Sequence, residues 1–167
     1  MGSRSARTLF GRVATSTDNP GVVFRPPFIY LIAFVVVLVL RWFQPMPIFG
    51  QAVALWLGLA GVALGVGIAI WGRRTMQAAG TNINPSLPAT TIVSSGPFRY
   101  SRNPLYLALT LLYLGLTVAF DTWWGIVVLI PVLLVMHLGV VLREERYLDQ
   151  KFGESYRRYR TEVRRYL

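Results

Sequence analysis

The stretch WWGIVVLIPVLLVMHLGVVL, residues 123–142, runs for twenty residues without an acidic residue, a lysine or an arginine. A helix crossing the hydrocarbon core of a bilayer needs about 20 such residues, because only helices and closed barrels satisfy their backbone polar groups there. Three further apolar runs lie upstream, at Phe28 to Phe43, Gln51 to Trp71 and Leu105 to Phe120. None alternates as a barrel strand does. With 54% hydrophobic against 14% charged residues, the chain has too little polar surface to coat a soluble globule. The pattern predicts an all-α integral membrane helical bundle of about four transmembrane helices plus a cytoplasmic, interfacial C-terminal helix. The first and third runs are short, and Arg41 near the end of the first is placed to snorkel toward the headgroups.

The basic residues set the expected orientation, since cytoplasmic segments collect lysine and arginine. Arg4, Arg7, Arg12 and Arg25 precede the first run; Arg73, Arg74, Arg99 and Arg102 separate the second and third; the remainder follow the fourth, from Arg143 to Arg165. Of the 17 basic residues only Arg41 falls elsewhere. Four spans then put both termini and the central loop on one face, the cytoplasmic one. The formal net charge of +10 follows from that topology and from attraction to anionic lipid headgroups, at about 1 kcal/mol per basic residue near the surface. These residues are spread over several membrane-adjacent segments with no recognition motif, so membrane lipids rather than nucleic acid are the expected partner. The absence of cysteine rules out disulfides, thiolate metal sites and cysteine nucleophiles. A single histidine, His137, makes a poor metal site, so no metal is expected and the imidazole is read as packed or making one hydrogen bond.

Residues 1–25 read as a basic N-terminal arm and 26–167 as a single membrane domain. Pro45 and Pro47 break the chain between the first two runs. In the second run Gly61-x-x-x-Gly65, with Gly58 and Gly67 nearby, is a spacing that lets helices approach closely in lipid; a nucleotide loop would need a preceding strand. Asp121 and Thr122 are a link so short that the third and fourth helices must form an antiparallel hairpin. The segment from Arg73 to Pro104 is too long for a plain connector and carries Ile83, Leu87, Ile92, Val93, Phe98 and Tyr100, so it is expected to fold over part of the domain. Beyond the fourth run, Leu148, Phe152, Tyr156, Tyr159, Val163 and Tyr166 recur at helical spacing opposite Lys151, Arg157, Arg158 and Arg165, an amphipathic pattern weakened at Gly153.

Two polar clusters bracket that hairpin. Ser94 to Tyr106, SSGPFRYSRNPLY, leads into the third helix, and Arg143-Glu144-Glu145-Arg146 leaves the fourth. Both emerge on the same side and can meet. Asn103 is a favoured N-cap and Pro104 a favoured first helical residue, so free amide groups and Arg102 make a place for an anion, whereas Glu144 and Glu145 suit a cationic ammonium. A ligand bearing both charges complements the pair. Direct pairing of Arg99 and Arg102 with Glu144 and Glu145 is an equally balanced reading of the same residues.

The runs Ala79-Gly80-Thr81, Val93 to Tyr106, Arg143-Glu144-Glu145 and Phe152-Gly153-Glu154-Ser155-Tyr156-Arg157-Arg158-Tyr159 resemble the isoprenylcysteine carboxyl methyltransferase and phospholipid methyltransferase superfamily. The resemblance covers roughly Gly72 to Leu167; its specific part is Arg-Asn-Pro-x-Tyr followed downstream by Glu-Glu. Asparagine stands where the family often has histidine, a form common among prokaryotic relatives, which implies a prokaryotic inner membrane. The resemblance further implies a cofactor-binding part at about 73–167 that encloses S-adenosylmethionine, with Val93, Gly96, Phe98, Tyr100, Arg102, Asn103, Pro104, Tyr106, Leu107, Glu144 and Glu145 around it. The expected reaction is methyl transfer to a lipid-soluble carboxylate or amine, with Glu145 or Tyr100 assisting an amine and Arg157 closing the site. Two rival readings are an NADPH-dependent membrane lipid reductase and a non-catalytic membrane subunit.

Overall fold

The computed structural model describes Pro20, Gly21, residues 25–84 and residues 87–167. The expected basic arm therefore lies outside the described residues except for Pro20, Gly21 and Arg25, as does Pro85 of the central loop.

The structure is all-α among the described residues. Helix α1 spans Pro26–Phe43, α2 Gln51–Ala78, α3 Pro104–Ala119 and α4 Trp124–Met136; a π-helical turn at His137–Val141 carries α4 directly into α5, Leu142–Phe152, and α6 covers Glu154–Glu162. Pro26 and Pro104 open their helices at a position where the missing N–H costs nothing. Three helical stretches are long and apolar enough to cross a bilayer: Pro26–Phe43, Gln51–Ala78 and Trp124–Phe152. They mark an integral, multi-pass membrane protein. The 16 residues of α3 form a shorter apolar helix of about 24 Å at 1.5 Å per residue.

Helix α2 continues past Trp71, where its apolar run ends, because the next stop signal is Gly80. Gly80 adopts φ +69, and the N–H groups of Gly80 and Thr81 donate to the carbonyls of Gln77 (3.0 Å) and Met76 (3.1 Å), the paired bonds of a Schellman cap. One face of α2 meets α3 backbone to backbone. A Cβ added at Gly58 would lie 2.4 Å from the Ala119 nitrogen, one at Gly65 2.9 Å from the Leu112 nitrogen, and one at Gly115 2.5 Å from the Val62 nitrogen. The small-residue spacing is thus a packing device, extended by Gly58 and Gly115 beyond the Gly61/Gly65 pair. Gly67 faces open space.

Helix α1 packs antiparallel to α4, and Tyr30, Ala33 and Val37 join Tyr113, Leu129, Val132, Met136 and Val140 in the core. The α3–α4 hairpin is closed by Gly125, against which Thr117 packs with no room for a Cβ, and by the Tyr113 hydroxyl donating to the Gly125 carbonyl at 3.0 Å. Its turn residue Asp121, at φ +49, does more than connect. Its carboxylate accepts from the backbone N–H groups of Ile48 (2.8 Å), Phe49 (3.0 Å) and Gly50 (3.1 Å), capping α2 from a different part of the chain. The Trp124 indole donates to the Gln44 carbonyl at 2.8 Å, tying the α1 end to the α4 start.

The C-terminal segment departs from a single continuous helix. Gly153, at φ +52 and ψ −121, breaks it into α5 and α6, and Val163 is already extended. Tyr156 and Tyr159 are buried in the protein rather than laid against lipid.

Two expectations follow. Gly115→Leu forces apart the α2–α3 contact and should cost about 1–3 kcal/mol or more, read as a lower thermal midpoint in detergent, whereas Gly67→Leu should leave it unchanged. The amide donors of Phe49 and Ile48, in that order, hold the Asp121 carboxyl below its ordinary value of 3.8. A depressed folded-state value stabilises above the unfolded one and loses that effect as pH falls through the folded value. The stability gap between wild type and Asp121→Asn, present at neutral pH, should therefore close as pH drops below 3.8.

Candidate functional site

A cavity opens where the central loop, the start of α3, the α4–α5 helix and α6 converge. Its walls include Thr81, Ile83, Leu87, Val93, Phe98, Leu105, Tyr106, Glu144, Leu148, Tyr156 and Tyr159, with Arg102, Asn103 and Glu145 at the polar end. The loop is held over it by two bonds within itself and one to α5: the Thr90 hydroxyl donates to the Gly80 carbonyl (2.8 Å), the Thr90 N–H to the Thr81 hydroxyl (3.1 Å) and the Ala89 N–H to the Tyr147 hydroxyl (3.2 Å). The 3₁₀ turn Gly96–Arg99 buries Pro97 and Phe98, and the Tyr159 hydroxyl donates to the Phe98 carbonyl at 2.7 Å. That bond fixes the turn against α6.

The two clusters flanking the hairpin do meet. Arg102 Nη1 lies 3.0 Å from Glu145 Oε1, with both side chains about nine-tenths buried. Arg165 completes the group: its Nε donates to Glu145 Oε1 at 3.0 Å and its Nη2 to Oε2 at 2.8 Å. This hydrogen bonding holds the Arg165 guanidinium protonated more firmly than usual. Arg102 Nη1 also donates to the Tyr156 hydroxyl at 3.4 Å, while burial pushes that phenol's pKa up. Arg102 Nε remains buried without a hydrogen-bond partner. An uncompensated buried donor costs about 1–3 kcal/mol, so it stands out in a group otherwise well satisfied. Beside it the Tyr106 hydroxyl donates to Glu144 Oε1 at 2.5 Å.

The π turn sets which face of α5 is turned toward Arg102. A π bulge inserts one residue into the helical register, rotating all that follows by about 100° relative to an unbroken α-helix. It also presents His137, whose Nδ1 is 2.7 Å from the Tyr166 hydroxyl, the single hydrogen bond expected of it.

Of the residues singled out in the sequence, Val93, Phe98, Arg102, Asn103, Pro104, Tyr106, Glu144 and Glu145 line the cavity. Four others do not. Tyr100 is 65% exposed and packs beside Trp71, with ring centroids 6.4 Å apart. Gly96 sits in a separate shallow hollow with Arg74, Thr75 and Ser95, where its φ of +57 and the nearby Thr75 hydroxyl leave no space for a side chain. Leu107 is not part of the cavity wall, and Arg157 is exposed, paired with Asp149 at 3.0 Å. Arg99 is exposed as well, so the arginine–glutamate pairing involves Arg102 alone of the two. Asn103 stands at the N-cap position without capping α3; its Nδ2 donates instead to the Arg165 carbonyl at 3.0 Å. Tyr156, Tyr159 and Arg165 were visible in the sequence only as the two faces of an amphipathic helix, and their part in the site required the break at Gly153.

The family model described as phospholipid methyltransferase matches residues 53–155, more than half of the chain. The chain belongs to that family. An uncharacterized protein of Haemophilus influenzae is 41% identical over 66 residues, a stretch that is the whole of that protein and 38% of this chain. No solved structure matches. The phospholipid methyltransferase match takes in the cavity's loop, α3 and both glutamates, and stops just before Tyr156.

The pairing pattern predicts unequal roles for the adjacent glutamates. Glu145→Ala strands two arginines, one of them buried, and should destabilise the fold by about 3–5 kcal/mol. Glu144→Ala leaves the Tyr106 hydroxyl without its acceptor and should cost about 1–3 kcal/mol. Unfolding of both variants in mild detergent checks the difference.

Proposed function

We propose that this chain is an S-adenosylmethionine-dependent methyltransferase whose acceptor is a membrane-soluble lipid. The observation that carries the reading is the convergence of an open glutamate, an arginine with an unpartnered buried donor and an apolar wall in one cavity within the matched family segment.

The residues present fit the cofactor. Its amino-acid end carries a carboxylate and an ammonium. Arg102 Nε lacks a partner that a carboxylate would provide, and the α3 N-terminus beside it is uncapped by any side chain. Glu144 has one oxygen on Tyr106 and a second for an ammonium. Glu145, by contrast, has both oxygens on arginines, so its contribution is to hold Arg102 rather than the ligand. Val93, Phe98, Leu105 and Leu148 offer the apolar wall that an adenine ring needs. When bound, S-adenosylmethionine supplies an electrophilic methyl group on a sulfonium.

What the chain itself contributes is alignment and exclusion of water. An in-line displacement needs acceptor, methyl carbon and sulfur held on one axis, and most of the rate gain from such positioning is entropic. The central loop and α6 cover the cavity from the aqueous side, while α3 and α4 leave the acceptor to arrive from the lipid side. A carboxylate acceptor needs no general base, whereas an amine acceptor must arrive deprotonated, because Glu144 is already committed to Tyr106 and to the cofactor's ammonium. The basic residues of the loop and of the C-terminal segment favour a cytoplasmic placement of the cavity in a prokaryotic inner membrane, where the cofactor is dissolved.

Calorimetric titration of the detergent-solubilised protein with S-adenosylmethionine should give saturable binding that Glu144→Gln weakens by about tenfold or more, the worth of one charge-assisted hydrogen bond. Absence of binding, or binding of NADPH in its place, would overturn the proposal. Incubation of membranes with methyl-labelled cofactor should move label into the lipid extract.

A further inference from the structure

Arg165 lies ten residues beyond the matched family segment and does not line the cavity, yet it makes the shortest contact to Glu145. We propose that Arg165 is a positioning residue: the non-helical C-terminus from Val163 to Leu167 is a strap that clamps Glu145 and thereby leaves Arg102 Nε unpaired for a ligand carboxylate. The inference rests on the function proposed above.

Three backbone-directed bonds seat the strap independently of the Arg165 side chain. The Arg102 N–H donates to the Arg164 carbonyl (3.0 Å), and the Ser101 hydroxyl and Asn103 Nδ2 both donate to the Arg165 carbonyl (3.3 and 3.0 Å). The Tyr166 hydroxyl meets His137 on the other side. The strap is therefore registered against the very residues that begin the site, Ser101 to Asn103.

The side chain then decides what Glu145 can do. Arg102 reaches Glu145 through Nη1 alone, because Arg165 occupies Oε2 and shares Oε1. An arginine and a carboxylate left to themselves favour a two-point fork in which both oxygens are used. Without Arg165, the freed Oε2 would turn toward the nearest unsatisfied donor, and Arg102 Nε is buried and unsatisfied. Glu145 would satisfy it from within, and the ligand would lose its carboxylate partner. Arg165 thus keeps a buried ion pair deliberately incomplete. Outer-layer groups that hold a ligand-binding residue carry about ten- to a hundredfold in affinity in metal sites, and a comparable factor is expected here.

The test uses the full chain in detergent and S-adenosylmethionine as probe. Arg165→Gln should weaken binding about tenfold or more, Arg165→Lys should fall between it and wild type, and Arg158→Gln, on the exposed face of α6, should bind as wild type does. In Arg165→Gly, guanidinium ion at tens of millimolar should restore affinity, whereas sodium chloride at equal ionic strength should not. A role confined to stapling the tail would not respond to a free guanidinium. Wild-type affinity in Arg165→Gln, or weakened binding that guanidinium leaves unchanged, overturns the proposal while the methyltransferase reading stands. No binding by wild type itself brings down that reading first, and this inference with it.

Discussion

A buried carboxylate between two arginines organises the polar end of this molecule. Glu145 cannot be removed from water without compensation, and Arg102 and Arg165 provide it from opposite ends of the site: one from the loop entering α3, the other from the last residues of the chain. Everything that has to be brought together passes through this contact. The loop Ser101–Asn103 is held because the strap docks on it, the strap is held because Glu145 takes both donors of Arg165, and Glu145 is placed by the register shift of the π turn. The triad carries one net positive charge, and Glu144 lines the same cavity.

The opposite end of the bundle solves a simpler problem by similar means. Glycines on α2 and α3 let two backbones touch where apolar side chains would gain nothing over lipid, and the Asp121 carboxylate closes the exposed amides at the α2 N-terminus. The close-packed pair makes a rigid wall. The polar end can then be assembled from loops and short helices without losing precision, since α3 carries Asn103, Pro104 and Tyr106 on a scaffold that is fixed below them.

Much of this was legible in residue order because the signals were local. Apolar runs gave α1 to α4, Pro104 gave the start of α3, the glycine spacing gave the α2 contact, and the two-residue link at Asp121 brought the arginine and glutamate clusters to one side. What escaped notice depended on contacts between distant segments or on backbone states that propensity does not encode. Asp121 reads as a turn residue until its oxygens are seen on Ile48, Phe49 and Gly50. Gly153 reads as a weak point in one helix, yet its positive φ redirects the chain so that Tyr156 and Tyr159 face inward and Arg165 reaches Glu145. Tyr100 and Arg157 had suitable chemistry and adjacent positions in sequence, but a one-residue step along a 3₁₀ turn or a short helix points a side chain to the other face. The same offset separates Glu144 from Glu145, which sequence alone treats as equivalent.

The decisive experiment is a crystal or cryo-electron-microscopy structure of the protein with S-adenosylhomocysteine, the demethylated product. The carboxylate of that ligand should sit on Arg102 and its ammonium on Glu144, with Arg165 still clasping Glu145. A ligand seated away from Arg102, or one whose ammonium replaces Arg165 on Glu145, would contradict this arrangement.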